Sequence, residues 1–216
     1  MKIPGLISLL LLTATPLAAN SLPVEQMAFD IYLDDQRIGL HQVAISGTPD
    51  EKQVKVSAEM QVDFLFVTLF RYQHQAAERW KNNCIVELET TTDDDGQQLS
   101  VNARQSENGL QVVSSEDSQT LEGCIRTFAY WDLDLLSTDY LLNTQNGLYQ
   151  PARLNRVASQ PLTFNGQTYG SQQYQLEVGE DIRISLWYDE QFRWQALETR
   201  LENERTLRYL LRSDPS

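Results

Sequence analysis

Residues 70–80 read FRYQHQAAERW. Phe70, Tyr72, His74, Ala76, Glu78 and Trp80 alternate with Arg71, Gln73, Gln75, Ala77 and Arg79. Successive side chains of an extended strand point to opposite faces, so this stretch is a strand with a mainly apolar face and a polar one. The same period recurs outward in both directions. Met27, Phe29, Ile31 and Leu33 share a face, as do Val54, Val56, Ala58, Met60 and Val62. Near the other end Ile182, Ile184, Leu186 and Tyr188 oppose Arg183, Ser185, Trp187 and Asp189, and Leu207, Tyr209 and Leu211 follow the same rule.

Between these runs stand turn signals. Asp34-Asp35-Gln36 and Lys81-Asn82-Asn83 turn the chain, and Asp95-Gly96, Asn108-Gly109, Asn146-Gly147 and Asn165-Gly166 are tight-turn dipeptides. Asn-Gly and Asp-Gly tolerate the positive φ such turns demand. The pattern predicts an all-β fold: a single, strongly curved antiparallel meander of about ten or more strands, a half-barrel or open barrel. One short helix is expected over Trp131–Leu142, with Asp132 or Asp134 near its start. A transmembrane β-barrel would need an outward apolar band; stretches such as Gln172-Gln173-Tyr174-Gln175 are polar on both faces and disfavour it.

Residues 1–19, MKIPGLISLLLLTATPLAA, read as a secretory signal peptide, with Lys2, an apolar run to Ala14, Pro16 and small residues at Ala18-Ala19. Cleavage near Ala19 leaves residues 20–216 as one β domain in the periplasm, with no integral membrane segment. Export makes a disulfide between Cys84 and Cys124, the two cysteines of the chain, the default state. The chain has 30 acidic and 17 basic residues and a formal charge of −13, which becomes −14 once Lys2 is removed. Such a balance offers no basic patch for nucleic acid. It also gives no electrostatic adhesion to anionic lipid.

Arg71-Tyr72-Gln73-His74, Glu78-Arg79-Trp80, Thr91-Thr92-Asp93-Asp94-Asp95-Gly96, Tyr130-Trp131, Leu141 to Gly147 and Leu186-Trp187-Tyr188-Asp189 follow in that order, before a last strand ending Leu207 to Leu211. In order and spacing these motifs resemble an uncharacterised family of exported bacterial β proteins, domain of unknown function sixty-one thirty-four. The resemblance covers nearly all of the mature chain. Asn82-Asn83 stands where the family uses an Asp-Gly-like turn, and Asp132 where Asn usually follows the Trp. The family has no assigned activity. Its strand pattern is similar to that of half-open β-sheet carriers of the periplasm, which implies binding of an apolar or lipid-like ligand, or of a lipid-modified partner.

Several residues bear on that expectation. Asp63 to Tyr72 reads DFLFVTLFRY, apolar on both faces from Phe64 to Leu69. Either Phe64, Phe66 and Phe70 line an apolar groove, or the run is a strand bend or a central strand covered on both sides. His74 and Glu78 share a face but lie roughly 13 Å apart at ~3.3 Å per residue, too far for a direct acid–base pair or a shared metal. They read as inner-face groups satisfied by hydrogen bonds, with Glu78 as a paired carboxylate, for instance to an Arg. Trp187 and Tyr188 fall on opposite faces, one in the core and one covering the other surface or a groove wall. The candidate ligand-binding set is Phe64, Phe66, Phe70, Tyr72, His74, Glu78, Trp80, Trp131, Trp187 and Tyr188. Asp93-Asp94-Asp95 lacks the ligand spacing of a calcium loop. No nucleophile motif, cofactor motif or metal-ligand spacing stands out. The expectation is non-enzymatic ligand binding; an envelope interaction or scaffold module and an enzyme on an envelope substrate are the alternatives.

Overall fold

The computed structural model describes residues 22–64, 67–157 and 160–213. The signal-peptide segment and Phe66 therefore lie outside the described residues. Eight strands come first: β1 (Leu22–Leu33), β2 (Gln36–Gly47), β3 (Glu51–Phe64), β4 (Val67–Lys81), β5 (Cys84–Asp94), β6 (Gln97–Ser106), β7 (Gly109–Ser114) and β8 (Ser118–Leu121). A joining segment then carries α1 (Leu133–Leu136). It is followed by β9 (Tyr140–Leu142), β10 (Tyr149–Arg156), β11 (Leu162–Phe164), β12 (Gln167–Tyr169), β13 (Gln172–Val178), β14 (Ile182–Tyr188), β15 (Trp194–Arg200) and β16 (Thr206–Leu211).

Fourteen strands form one antiparallel sheet in the order β8-β7-β6-β5-β4-β3-β2-β1-β16-β15-β14-β13-β10-β9; β11 and β12 form a separate hairpin. The sheet is not closed into a barrel: β8 and β9, at its two edges, do not pair with each other. The expected curved antiparallel meander is thus the fold.

Turn chemistry sets the register. Asp95-Gly96 and Asn165-Gly166 hold positive φ at both positions, the geometry that matches strand twist. Asn82 and Asn83 do the same at φ 50° and 61°. Asn is among the few side chains that visit this region at little cost, so the Asn-Asn pair makes the tight turn between β4 and β5 without glycine.

Three expectations need correcting. The apolar run after Asp63 is not one continuous strand: β3 ends at Phe64, β4 begins at Val67, and these two residues pair across the hairpin. It joins the paired ends of two strands, and Leu69 is 58% exposed. The helix is one turn, not Trp131–Leu142. Asp132 caps it, its Oδ1 accepting from the Asp134 amide at 3.1 Å. Ser137, Thr138 and Asp139 then end it, since such side chains compete for backbone groups, and Tyr140–Leu142 pair with Tyr149–Pro151 as a strand. Glu78 has no arginine partner among the described residues; its partner is an indole, described below.

The core lies on the concave face. Phe29, Val43, Val54, Leu88, Val101 and Val112 from β1–β7 meet Leu176, Ile184, Leu186 and Tyr188 from the other half in one cluster. Between them sits the joining segment, which contributes Ile125, Ala129, Leu135 and Leu136. A curved sheet of this width cannot fill its own hollow, so the chain between its two edges does so. Each fully buried leucine there contributes about 2 kcal/mol of transfer free energy. The Cys84–Cys124 disulfide ties that segment to the start of β5, and the Ile85 amide donates to the Ile125 carbonyl at 2.9 Å beside it.

A second cluster lies on the opposite face. Trp187, Ala196 and Leu210 pack under the β11–β12 hairpin with Phe164 and Tyr169, and Trp187 Nε1 donates to the Gln160 carbonyl at 2.9 Å. Tyr188 points inward and donates to the Tyr130 carbonyl at 2.9 Å. The neighbours Trp187 and Tyr188 therefore divide between the two faces, as their alternation requires.

Candidate functional site

The joining segment does not fill the hollow completely. A cavity of about 240 Å³ remains between the two halves of the sheet and the segment. The register explains where. Phe29, His41, Ala58, His74 and Thr92 form one cross-strand row over β1 to β5. The next inward row runs Val43, Val56, Ala76 and Thr90. The methyl groups of Ala58 and Ala76 sit where larger side chains would fill the space, and both residues line the cavity.

Its walls are aromatic: Tyr72, Phe128, Tyr130, Trp131, Trp194 and Tyr209. Trp194 reaches it through a β-bulge. Tyr188 pairs with Trp194 while Trp187 pairs with Ala196, so the register shifts by one. Trp194 thereby turns inward and Ala196 joins the outer cluster. Bulges re-aim side chains in this way. The loop after β9 closes one end. Thr90 Oγ1 donates to the Thr144 carbonyl at 2.8 Å and accepts the Val101 amide at 3.1 Å. Tyr72 donates its hydroxyl to Gln145 Oε1 at 3.2 Å, and Gln145 Nε2 donates to Asp94 Oδ2 at 3.3 Å.

Two imidazoles and one carboxyl face this space from β2 and β4: His41, His74 and Glu78. His74 Nδ1 lies 2.8 Å from Thr92 Oγ1. Burial pushes its pKa down to about 4. His41 is half-buried and lines the cavity, and it packs against Phe29, Trp194 and Tyr209 with ring centres 6.0, 5.7 and 5.3 Å away. Its Nδ1 is buried without a hydrogen-bond partner among the described residues. Burial, and secondarily the neighbouring His74, depress its pKa to about 3. Glu78 is 8% exposed. Its Oε2 accepts from Trp80 Nε1 at 2.7 Å. Burial raises its pKa to about 7, against the smaller lowering effect of that bond. Desolvation disfavours each charged form. Burial likewise raises the Tyr130 and Tyr72 phenols above their ordinary value, and Tyr209 to about 12.

No Lys, Arg or Asp is among the residues lining the cavity, and among the described residues no group of three or more His, Cys, Asp or Glu could hold a metal ion. A larger depression of about 630 Å³ lies across β1 to β5 and includes outer-face residues such as Gln42, Lys55, Gln75 and Glu89. The convergence of aromatic and buried polar groups belongs to the smaller inner space.

Of the residues singled out by sequence, Tyr72, His74, Glu78 and Trp131 line this cavity. Trp80 and Tyr188 are core residues beside it. Trp187 is on the far face, Phe70 is half-buried towards the hairpin end, and Phe64 ends β3. Sequence reasoning missed Tyr130, Trp194, Tyr209 and Gln145, and did not place His41, the chain's other imidazole, in the candidate set. The inward period of β16 pointed to Tyr209. Trp194 is placed by a bulge, and Tyr130 and Gln145 by irregular chain.

The profile of a domain of unknown function, DUF6134, matches residues 29–212, and the chain belongs to this family. No curated protein matches it. A solved structure, a β-barrel-like protein of domain of unknown function DUF1849 from Brucella abortus, is similar in fold with a TM-score of 0.61. At 10% identity the alignment covers 88% of this chain and 95% of that one. Among the described residues no helix is long and apolar enough to cross a membrane.

Proposed function

We propose that this is an exported, non-enzymatic binding protein that holds a small, largely apolar ligand in the cavity of its half-open barrel. The observation that carries the reading is the space itself: about 240 Å³, walled by aromatic rings between the two halves of the sheet and the joining segment. Apolar pockets with a few convergent polar groups are where small ligands bind. At ~30 Å³ per water the space has room for about eight waters, which suits one ring or one short chain. The lipid-like expectation therefore narrows to a fragment of that size. Carriage in the periplasm accords with the signal-like first residues and with the joined cysteines.

His74 and Glu78 are each engaged by a neighbour, Thr92 and Trp80, which favours binding over proton transfer. Native mass spectrometry of the protein purified from a periplasmic extract tests the reading. The expected result is a small-molecule adduct on the wild type that is absent from Ala58→Leu, in which the added methyl groups occupy the space. A wild-type protein without an adduct, and without saturable binding of a small aromatic probe, would overturn it.

A further inference from the structure

We infer that the ligand of this cavity carries a single positive charge, an organic amine or ammonium group, held by Glu78 among aromatic rings. The inference rests on the cavity being a ligand site, as proposed above. Glu78 is more than nine-tenths buried and its protein partner is the indole of Trp80. A buried acid with no cation beside it is costly unless it binds one or stays protonated. The basic side chains nearby are committed elsewhere. Lys52, opposite Trp80 in the ladder, has its Nζ 2.9 Å from Asn83 Oδ1, 4.0 Å from Asp132 Oδ2 and 6.0 Å from the centre of the Trp131 ring. Arg79 lies on the outer face and pairs with Glu87 at 3.0 Å.

A glutamine would accept the same indole hydrogen bond without that cost; once ionised, the carboxyl needs a counterpart, and none stands beside it among the described residues. The walls favour the same sign, because the faces of tryptophan and tyrosine rings attract organic cations. The absence of a metal-competent cluster among the described residues directs the site to an organic cation rather than a metal ion. An anion would meet no basic group in the lining and a chain of formal charge −13, a field that steers cations inward.

Titration calorimetry on the mature, disulfide-intact protein near pH 7.5 tests this, with benzylamine, its uncharged analogue benzyl alcohol, and benzoate. Benzylamine should bind at least about tenfold more tightly than benzyl alcohol, and benzoate should not bind. Glu78→Gln should erase that advantage while leaving benzyl alcohol within about twofold. Equal affinities for amine and alcohol in the wild type, or an advantage that survives Glu78→Gln, would overturn the inference and leave the cavity a neutral site. Binding of none of the three would overturn the ligand reading as well.

A measurement on the wild type alone guards against a variant that fails to fold. Near pH 6 in two buffers of different ionisation enthalpy, amine binding should release about one proton, from Glu78, and alcohol binding none. The other groups facing the space are His41, His74, Tyr72, Tyr130 and Tyr209; burial keeps the two imidazoles neutral and the phenols protonated. Amine binding without proton release would overturn the role of Glu78.

Discussion

The first eight strands and the segment that follows them obey different rules. From β1 to β8 the chain runs as hairpins whose alternate residues face the core, and each strand pairs with its neighbours in sequence. From Glu122 to Asp139 the chain has one helical turn and little other regular structure. Yet Ile125, Ala129, Leu135 and Leu136 from that irregular stretch are as deeply buried as any residue of the sheet. The sheet is held by ladder hydrogen bonds between near neighbours. The segment is held by what surrounds it and by a covalent link. A hollow made by regular structure is shaped into a site by irregular structure, and both halves of the cavity wall depend on that division.

Severing the covalent link is the strongest way to break the comparison. Replacing Cys84 and Cys124 by alanine opens a closed loop with a separation of 40 residues. Loop entropy puts the loss at about 4 kcal/mol. Urea unfolding of the oxidised wild type and the double variant measures it. A loss below about 1 kcal/mol would show that burial alone holds the segment in place.

The same division explains what the sequence makes legible. In β4 the inward set Tyr72, His74, Ala76, Glu78 and Trp80 follows from alternation alone, and the hairpin positions follow from Asp-Gly and Asn-Gly. Tyr130 and Gln145 have no period to read, because their backbone is ordered by contacts far away in the chain. Trp194 sits on a strand, but a bulge inverts its face relative to Ala196, and nothing local announces the bulge. The run from Phe64 to Leu69 misleads for the converse reason: two apolar strand ends that pair with each other have the same composition as one doubly covered strand. That His41 and His74 share a row across Ala58 needs the register of three strands.

Glu78 tests whether burial on the sheet side of the cavity governs charge. Its folded pKa of about 7 stands above the usual 4.5. The native state therefore holds the extra proton between those values, and stability falls as pH rises through that window. The total is about 3 kcal/mol. His41 and His74, held near 3 and 4 against an ordinary 6.5, act in the other direction: their contribution is lost as pH falls below 6.5. Glu78→Gln removes the first effect and leaves the second. Its stability relative to wild type should rise by about 3 kcal/mol between pH 4.5 and pH 8. A pH-independent difference in urea unfolding would show that the carboxyl is solvated.

A smaller effect is expected where the two regions touch through one hydroxyl. Thr90→Val keeps the shape of the β5 side chain but removes its donor to the Thr144 carbonyl and its acceptor for the Val101 amide. The loss should be about 1–2 kcal/mol. Hydrogen exchange should speed up most in the loop from Asn143 to Gly147. Uniform acceleration over the whole sheet would mean that the loop and the ladder open as one unit.

The smallest effect belongs to the outer face, one residue from the cavity floor. Gln75 and Ala76 are consecutive on β4, with Gln75 exposed and Ala76 buried. Gln75 stands between Ser57 and Thr91, where a β-branched residue pairs well. Gln75→Thr should change stability by less than about 0.5 kcal/mol and leave probe binding untouched. Ala76→Leu adds volume to the space itself and should abolish probe binding, because a close-packed wall does not yield that volume elsewhere. If the two variants bind the probe alike, the ligand is not in the hollow behind β4, and the outer trough becomes the place to look. If only Ala76→Leu loses it, one step along a strand separates a face that tolerates change from a face that holds the ligand.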